Sequence, residues 1–196
     1  HPMSQYIAEC KHYTDCSVKD LAPTRRDVFT TTAGLIYATR VLTNKQGKRW
    51  ALVTLDDKSA RMEMRASPEV FERFEDELSV DSLIWIKGQV SFDRFNEDTT
   101  MNIIEVMSLV DARNRFAQRI TINLLAKECS VSSVSKLQDI LHKYKGGTCP
   151  LHLQVQHPDV ALELKTGVNW SLKLEDELVS ELSHMLGETN VHVAFN

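Results

Sequence analysis

Hydrophobic and polar positions follow a strand rhythm through the first half of the chain, interrupted by one helical stretch. Phe29 to Thr43 is long and rich in β-branched residues, with Gly34 inside it. A glycine within a strand predicts a sharp bend or bulge. Asn44 to Arg49 reads as a hairpin with Gly47 at the turn. Trp50 to Leu55 and Ala60 to Ala66 follow, joined by the polar turn Asp56-Asp57-Lys58-Ser59. In the second of these, Met62 and Met64 alternate with Arg61, Glu63 and Arg65, the pattern of a half-buried strand. Ser67-Pro68-Glu69 then opens a helix: an N-cap serine, proline at the first helical position and an acid next. Val70, Phe71, Phe74 and Leu78 recur at helical spacing, and Leu83 to Phe92 and Met101 to Val110 are two further strands.

Three strands, a helix and two strands is the order of the five-stranded OB-fold barrel. Before it lie a short amphipathic helix, Ser4 to His12, and a linker from Ser17 to Arg26. After it, Asp111 to Gln118 reads as a connecting helix, and a second rhythm begins. Arg119 to Leu125 alternates as a strand; Val131 to Tyr144 is helical and ended by Gly146-Gly147. Leu151 to Gln156 and Val160 to Thr166 form a hairpin, with Trp170 to Leu174 as a third short strand. Glu175 to Leu186 is a helix ended by Gly187, and Val191 to Phe195 closes the chain as a strand. The fold class is therefore mainly β plus α+β: a barrel followed by a small domain with two helices over a sheet. The expected divisions are residues 1–28, 29–111, 112–118 and 119–196.

Composition narrows the function. The chain has 196 residues, 42% hydrophobic and 26% charged, as in ordinary soluble globular domains. A net charge of -4 excludes a binder of nucleic acid over its whole surface, so any such binding comes from a local basic patch. No apolar run approaches the ~20 residues that span a bilayer. Cys10, Cys16, Cys129 and Cys149 are irregularly spaced, which suits reduced thiols in the cytoplasm. His1 in place of a start methionine suggests a fragment or a tag remnant.

Catalytic chemistry is not legible. Asp56 with Asp57 lies in a polar turn, and Glu75, Asp76 and Glu77 on a solvated helix face, so neither reads as a metal-holding carboxylate cluster. No phosphate-cradling glycine loop is present, and no histidine shares a motif with a nucleophile. The expectation is no active site, no metal and no cofactor. The binding signal is better. Lys45, Lys48 and Arg49 cluster at the first hairpin with Arg40 on the strand before it, and Arg94 and Phe95 sit on the loop between the last two barrel strands. Basic side chains would hold phosphates and an aromatic would stack on a nucleobase, so these residues are the candidate contacts for weakly held single-stranded DNA. Phe92, just before that loop, is expected in the core.

Several stretches carry a resemblance: His1-Pro2 with Gln5-Tyr6, Ala33-Gly34-Leu35, Thr54-Leu55-Asp56-Asp57, Gly88-Gln89-Val90-Ser91-Phe92-Asp93, Glu105-Val106-Met107 and Asp111-Ala112-Arg113. In order and spacing the chain resembles the C-terminal region of the replicative DNA polymerase III alpha-subunit family of Gram-negative bacteria. The resemblance implies a non-catalytic part of a nucleotidyltransferase, its barrel placed where the single-stranded template enters. It implies that the final domain docks the tau subunit of the clamp loader. The sliding clamp is a further partner in the family, whose internal clamp-binding motif falls upstream of His1. A docking domain keeps apolar side chains after its own core is filled. The second helix and last strand offer Leu178, Leu182, Met185, Val193 and Phe195 as candidate partner contacts, Phe195 foremost. The competing readings are a protein-interaction module whose barrel no longer touches DNA, and an enzyme fragment with hidden chemistry.

Overall fold

The computed structural model describes residues 2–23, 28–93 and 98–195. The chain divides into two compact units, residues 1–112 and 113–196. The first contains α1 (Ile7–Cys10), β1 (Thr30–Thr43), β2 (Arg49–Asp56), β3 (Arg61–Ala66), α2 (Pro68–Phe74), β4 (Leu83–Asp93) and β5 (Asp98–Ser108). Its strands close into a barrel in the order β1-β2-β3-β5-β4, the OB-fold arrangement.

Closure depends on β1. Thr30 to Leu35 pair with β4, whereas Leu35 to Thr43 pair with β2. The change of partner falls beside Gly34. A β-carbon there would lie 2.8 Å from Leu55 Cγ and 2.9 Å from the Asp56 carbonyl oxygen, so only glycine allows this approach. The expected bulge in β1 lies slightly later, between Ile36 and Ala38. Ile36, Val53, Leu55, Met64, Ile86, Val90 and Met101 fill the barrel, and Phe71, Phe74 and Leu78 pack onto that core. Ser67 caps α2 as expected, its hydroxyl accepting from the Val70 amide with Pro68 next in line.

The residues before β1 pack closely on the barrel. Met3, Tyr6, Cys10 and Tyr13 are buried, the Trp85 indole donates to the Tyr13 carbonyl at 2.9 Å, and Asp15 Oδ2 accepts from the Thr31 amide at 2.7 Å. One expectation about the core is corrected: Phe92 is 54% exposed. β3 pairs with β5 from Met101 onward, so the Phe92–Thr99 pair of the β4–β5 ladder lies past the end of that pairing, at the barrel rim, where the ring meets solvent.

In the second unit, β6 (Ala117–Leu125), β8 (Leu151–His157), β9 (Val160–Lys165) and β10 (Val191–Phe195) form one sheet in the order β10-β6-β8-β9. α4 (Val131–Lys143) and α5 (Asp176–Leu186) pack on one face of it through Leu137, Leu141, Leu178 and Leu182. The helix α3 (Leu109–Phe116) supplies Arg113 and Asn114. Arg113 Nη1 donates to Asp176 Oδ1 at 2.7 Å and to the Leu174 carbonyl, while Asn114 Oδ1 accepts from the Leu174 amide at 2.8 Å. These bonds pin the approach to α5.

Gly146 and Gly147 do not end α4, which stops at Lys143. They belong to β7 (Lys145–Cys149), where both amides donate to the Ser171 carbonyl and a β-carbon on Gly147 would overlap the Leu172 backbone at 2.1 Å. The expected strand at Trp170 to Leu174 reduces to bridges at Leu172. Leu178 and Leu182 are fully buried, so these two candidates are corrected: the sheet consumes their side chains, and a partner reaches them only by unfolding the unit. Met185 and Val193 are partly buried against the same core, and Phe195 pairs with Ala117 across a bulge. Leu178→Ala should therefore lower the unfolding free energy by about 2–5 kcal/mol, measured by urea denaturation; a change under ~1 kcal/mol would contradict full burial.

Candidate nucleic-acid interface

The outer face of the barrel is set by the pairing of β2. Ala51, Val53 and Leu55 point inward and are fully buried, so Trp50, Leu52 and Thr54 point outward. Register places Leu42 and Arg40 of β1 beside Trp50 and Leu52. On the other side Arg65 and Glu63 of β3 lie beside Leu52 and Thr54, and Asn102 of β5 beside Arg65. Of these, Arg40, Trp50, Leu52, Glu63, Arg65 and Asn102 line an open groove of about 810 Å³ together with Ser91, Asp98, Thr99 and Thr100. A groove of this size accommodates a nucleotide-sized group.

Its centre is an aromatic surface. The Arg65 guanidinium lies over the Trp50 ring, 4.6 Å from the centroid, and Trp50 is partly exposed. Such a stack holds the indole flat and keeps a cation beside it. Arg40 lies at the groove edge, 3.9 Å from Glu63, both largely exposed. Glu63 and Asp98 place acids in the same groove, which limits its net positive charge.

The hairpin tip is ordered by Asn44. Its Oδ1 accepts from the amides of Gln46 and Lys48 at 2.9 Å each, and Gly47 adopts a φ of 78°, open to glycine. This turn presents Lys45 and Lys48 to solvent. Arg49 lies elsewhere. Both its terminal nitrogens donate to Glu75, at 2.8 and 2.7 Å, and its guanidinium stacks on Phe71 of α2. This two-pronged pair commits Arg49 to holding β2 against the helical segment. Of the expected DNA contacts, Arg40, Lys45 and Lys48 thus surround the outer face, Arg49 does not join them, and Arg94 and Phe95 lie outside the described residues.

Trp50, Arg65, Tyr37 and Arg61 were not anticipated. Tyr37 is 53% exposed at the β1 bulge, and the Arg61 guanidinium lies 3.7 Å from its ring centre. Arg61 Nε also donates to Asp56 Oδ2 at 2.6 Å, while Asp56 Oδ1 accepts from the Lys58 amide. Arg61 first, and the Lys58 amide second, hold the Asp56 carboxyl below its usual range. Among the described residues no group of His, Cys, Asp and Glu side chains could hold a metal ion. Burial pushes the Cys149 thiol up to about 11, and burial with nearby Asp15, Asp20 and Asp57 raises that of Cys16, so neither is an activated nucleophile.

Comparison with known proteins bears on both units. The model for the OB-fold nucleic acid binding domain matches residues 30–109, and that for the C-terminal domain of DNA polymerase III subunit alpha matches residues 136–187. The chain is similar along its whole length to the C-terminal region of DNA polymerase III subunit alpha. It is 39% identical over 196 residues to that subunit of Vibrio cholerae, 38% identical over 195 residues to that of Haemophilus influenzae and 32% identical over 197 residues to that of Escherichia coli K12. All of this chain is covered in each case, and it spans 17% of the length of those relatives. The two models fall one on each compact unit of the chain.

The Asp56–Arg61 bond gives a pH dependence of known sign. A carboxyl held low in the folded state contributes stability above its unfolded value of roughly 3.9, and that contribution is lost as pH falls through the lower folded value. Asp56→Asn should therefore be less stable than the parent chain at pH 6, with the gap narrowing as pH falls below about 4. A gap independent of pH in thermal melts would show that Asp56 acts by packing alone.

Proposed function

We propose that this segment serves chromosomal DNA replication as a binding module of a polymerase III alpha subunit. Its barrel holds single-stranded DNA, and its second unit docks the tau subunit of the clamp loader. The observation that carries the DNA reading is Trp50 under Arg65 on the outer barrel face, flanked by Arg40 and the lysine-bearing hairpin tip. An indole is a stacking surface for any base, because every base has a π-face, and the arginines and lysines supply phosphate contacts. Recognition of this kind is independent of sequence and weak where few phosphates are touched. It suits a surface that must let a template strand slide.

The docking role rests on the similarity to polymerase III alpha and on apolar surface that the second unit leaves uncovered. Val160, Leu162 and Leu164 are each about half exposed. We place the polymerase activity of the whole subunit in the portion of the relatives beyond this segment.

Titration of the full chain with fluorescent oligothymidylate tests the barrel. Trp50→Ala should weaken binding by 1–3 kcal/mol, the worth of one stacked base. Lys45→Ala with Lys48→Ala should weaken it and flatten the salt dependence by roughly 0.7 per lost phosphate contact. Arg49→Ala should leave both unchanged at temperatures where it stays folded. Equal binding by the Trp50 and lysine variants would leave a barrel that serves protein contacts only.

A further inference from the structure

The sheet of the second unit has two open edges, β10 and β9, and they are finished differently. Val191 and Val193 of β10 are partly buried against the core. β9 repeats the same alternation with Val160, Leu162 and Leu164, yet these are 50%, 54% and 52% exposed. Register places them on the core side of the sheet. Leu164 lies beside Leu153 and Leu162 beside Val155, and these in turn lie beside Ile122 and Leu124. The apolar face that α4 and α5 cover over β6 therefore continues outward and ends bare on β9. All six residues of β9 are exposed, and among the described residues no strand pairs with its outer side.

We propose that β9 is a docking edge for an extended segment of a partner protein. The segment adds a fifth strand to the sheet, lays apolar side chains at alternate positions alongside Leu162 and Leu164, and places a carboxylate beside Lys165. The inference rests on the reading of this unit as a docking module and specifies where the partner sits. An added strand gains affinity from main-chain hydrogen bonds along the edge and selectivity from alternate side chains, and β9 offers both. Charge selects the occupant. Glu163 lies 3.1 Å from His152 Nδ1, and among the described residues no carboxylate pairs with the Lys165 ammonium at the end of the strand, so an acidic group is the one this edge accepts.

Area argues against a second copy of the chain. A six-residue strand is roughly 20 Å long and a sheet layer about 10 Å deep. Two copies paired edge to edge would cover roughly 400 Å², a third of the ~1,200 Å² at the lower end for stable interfaces. A partner segment that continues beyond β9 over neighbouring surface has no such limit.

The test titrates the full chain with the C-terminal domain of the cognate tau subunit. In the unaltered chain, tau should slow amide exchange across residues 160–165. The double variant Leu162→Lys with Leu164→Lys should bind tau roughly tenfold or more weakly with an unchanged melting temperature, and Lys165→Glu should weaken binding as well. The exchange result decides the matter if the double variant does not fold. Tau binding that leaves the β9 amides unprotected, with full affinity in folded Leu162→Lys, Leu164→Lys chains, would overturn the assignment of this edge while leaving the docking role intact. No tau binding to the unaltered chain would overturn both. A dimer in sedimentation that Leu162→Lys dissociates would hand the edge to a second copy and overturn the proposal.

Discussion

The barrel exists because one strand serves two neighbours. β1 gives its first six residues to β4 and the remainder to β2, and the transfer passes through Gly34, where a side chain would meet Leu55 and the Asp56 backbone. The bulge at Ile36 to Ala38 then resets the register on the β2 side. That register decides which way every β2 side chain points, because a slip of one residue exchanges the two faces of a strand. Ala51, Val53 and Leu55 fill the interior only if Trp50, Leu52 and Thr54 face out. The aromatic surface proposed for DNA is thus the reverse side of the same alternation that builds the core.

The constraint also sorts the cations. Arginines near the barrel surface have different duties despite similar positions in the sequence. Arg49 is tied to Glu75 by two hydrogen bonds and packs over Phe71, and Arg61 is tied to Asp56 and Tyr37. Both stabilise the barrel, and a ligand phosphate would have to displace a hydrogen-bonded carboxylate to reach either. Arg65 is stacked on an indole instead and lines the groove, and Arg40 makes a long, exposed contact with Glu63. Long exposed ion pairs are worth little in water, so they yield readily to phosphate. A net charge of -4 is compatible with the proposed DNA binding because the relevant field is local and screened within about 10 Å at moderate salt.

Strand order, the capped helix α2 and the helix–sheet content of the second unit were legible because they follow from periodicity and from Ser67-Pro68, signals that are local in sequence. The proposed binding face was only half legible. The hairpin lysines announced themselves by clustering, but Trp50 drew no notice beside them. Alternation against Ala51, Val53 and Leu55 would have placed it on the outer face, with Arg65 on the neighbouring strand. Arg49 misled for the opposite reason: its partner Glu75 is 26 residues distant, and no local pattern reveals a bidentate bond of that span. Phe92 misled because burial depends on how far the β4–β5 hairpin outruns the rim, a property of β3's length. Gly146 and Gly147 read as a helix stop, yet their function is close approach to Leu172, which only the tertiary fold brings near.

The second unit shows how a small domain divides its apolar residues between itself and others. α5 carries an unusual number of them, and helical periodicity alone suggested a surplus for a partner. The sheet absorbs that surplus: Leu178 and Leu182 vanish into a core shared with Ile120, Ile122, Leu172 and Leu174. Arg113 and Asn114 fix the segment before α5 so that this packing is held in one place. What the helices do not reach is the far margin of the sheet. There Val160, Leu162 and Leu164 keep the inward alternation of a core strand without a core above them. Exposed apolar edges invite unwanted pairing and are commonly blunted by charge, shortness or cover. β9 is short and bears Glu163 and Lys165 on its opposite face, which restrains self-association without hiding the aliphatic row. A strand finished in that way is suited to one partner of matching pattern, and the apolar surface of this unit is therefore to be sought at its edge and not along the helix that first drew attention.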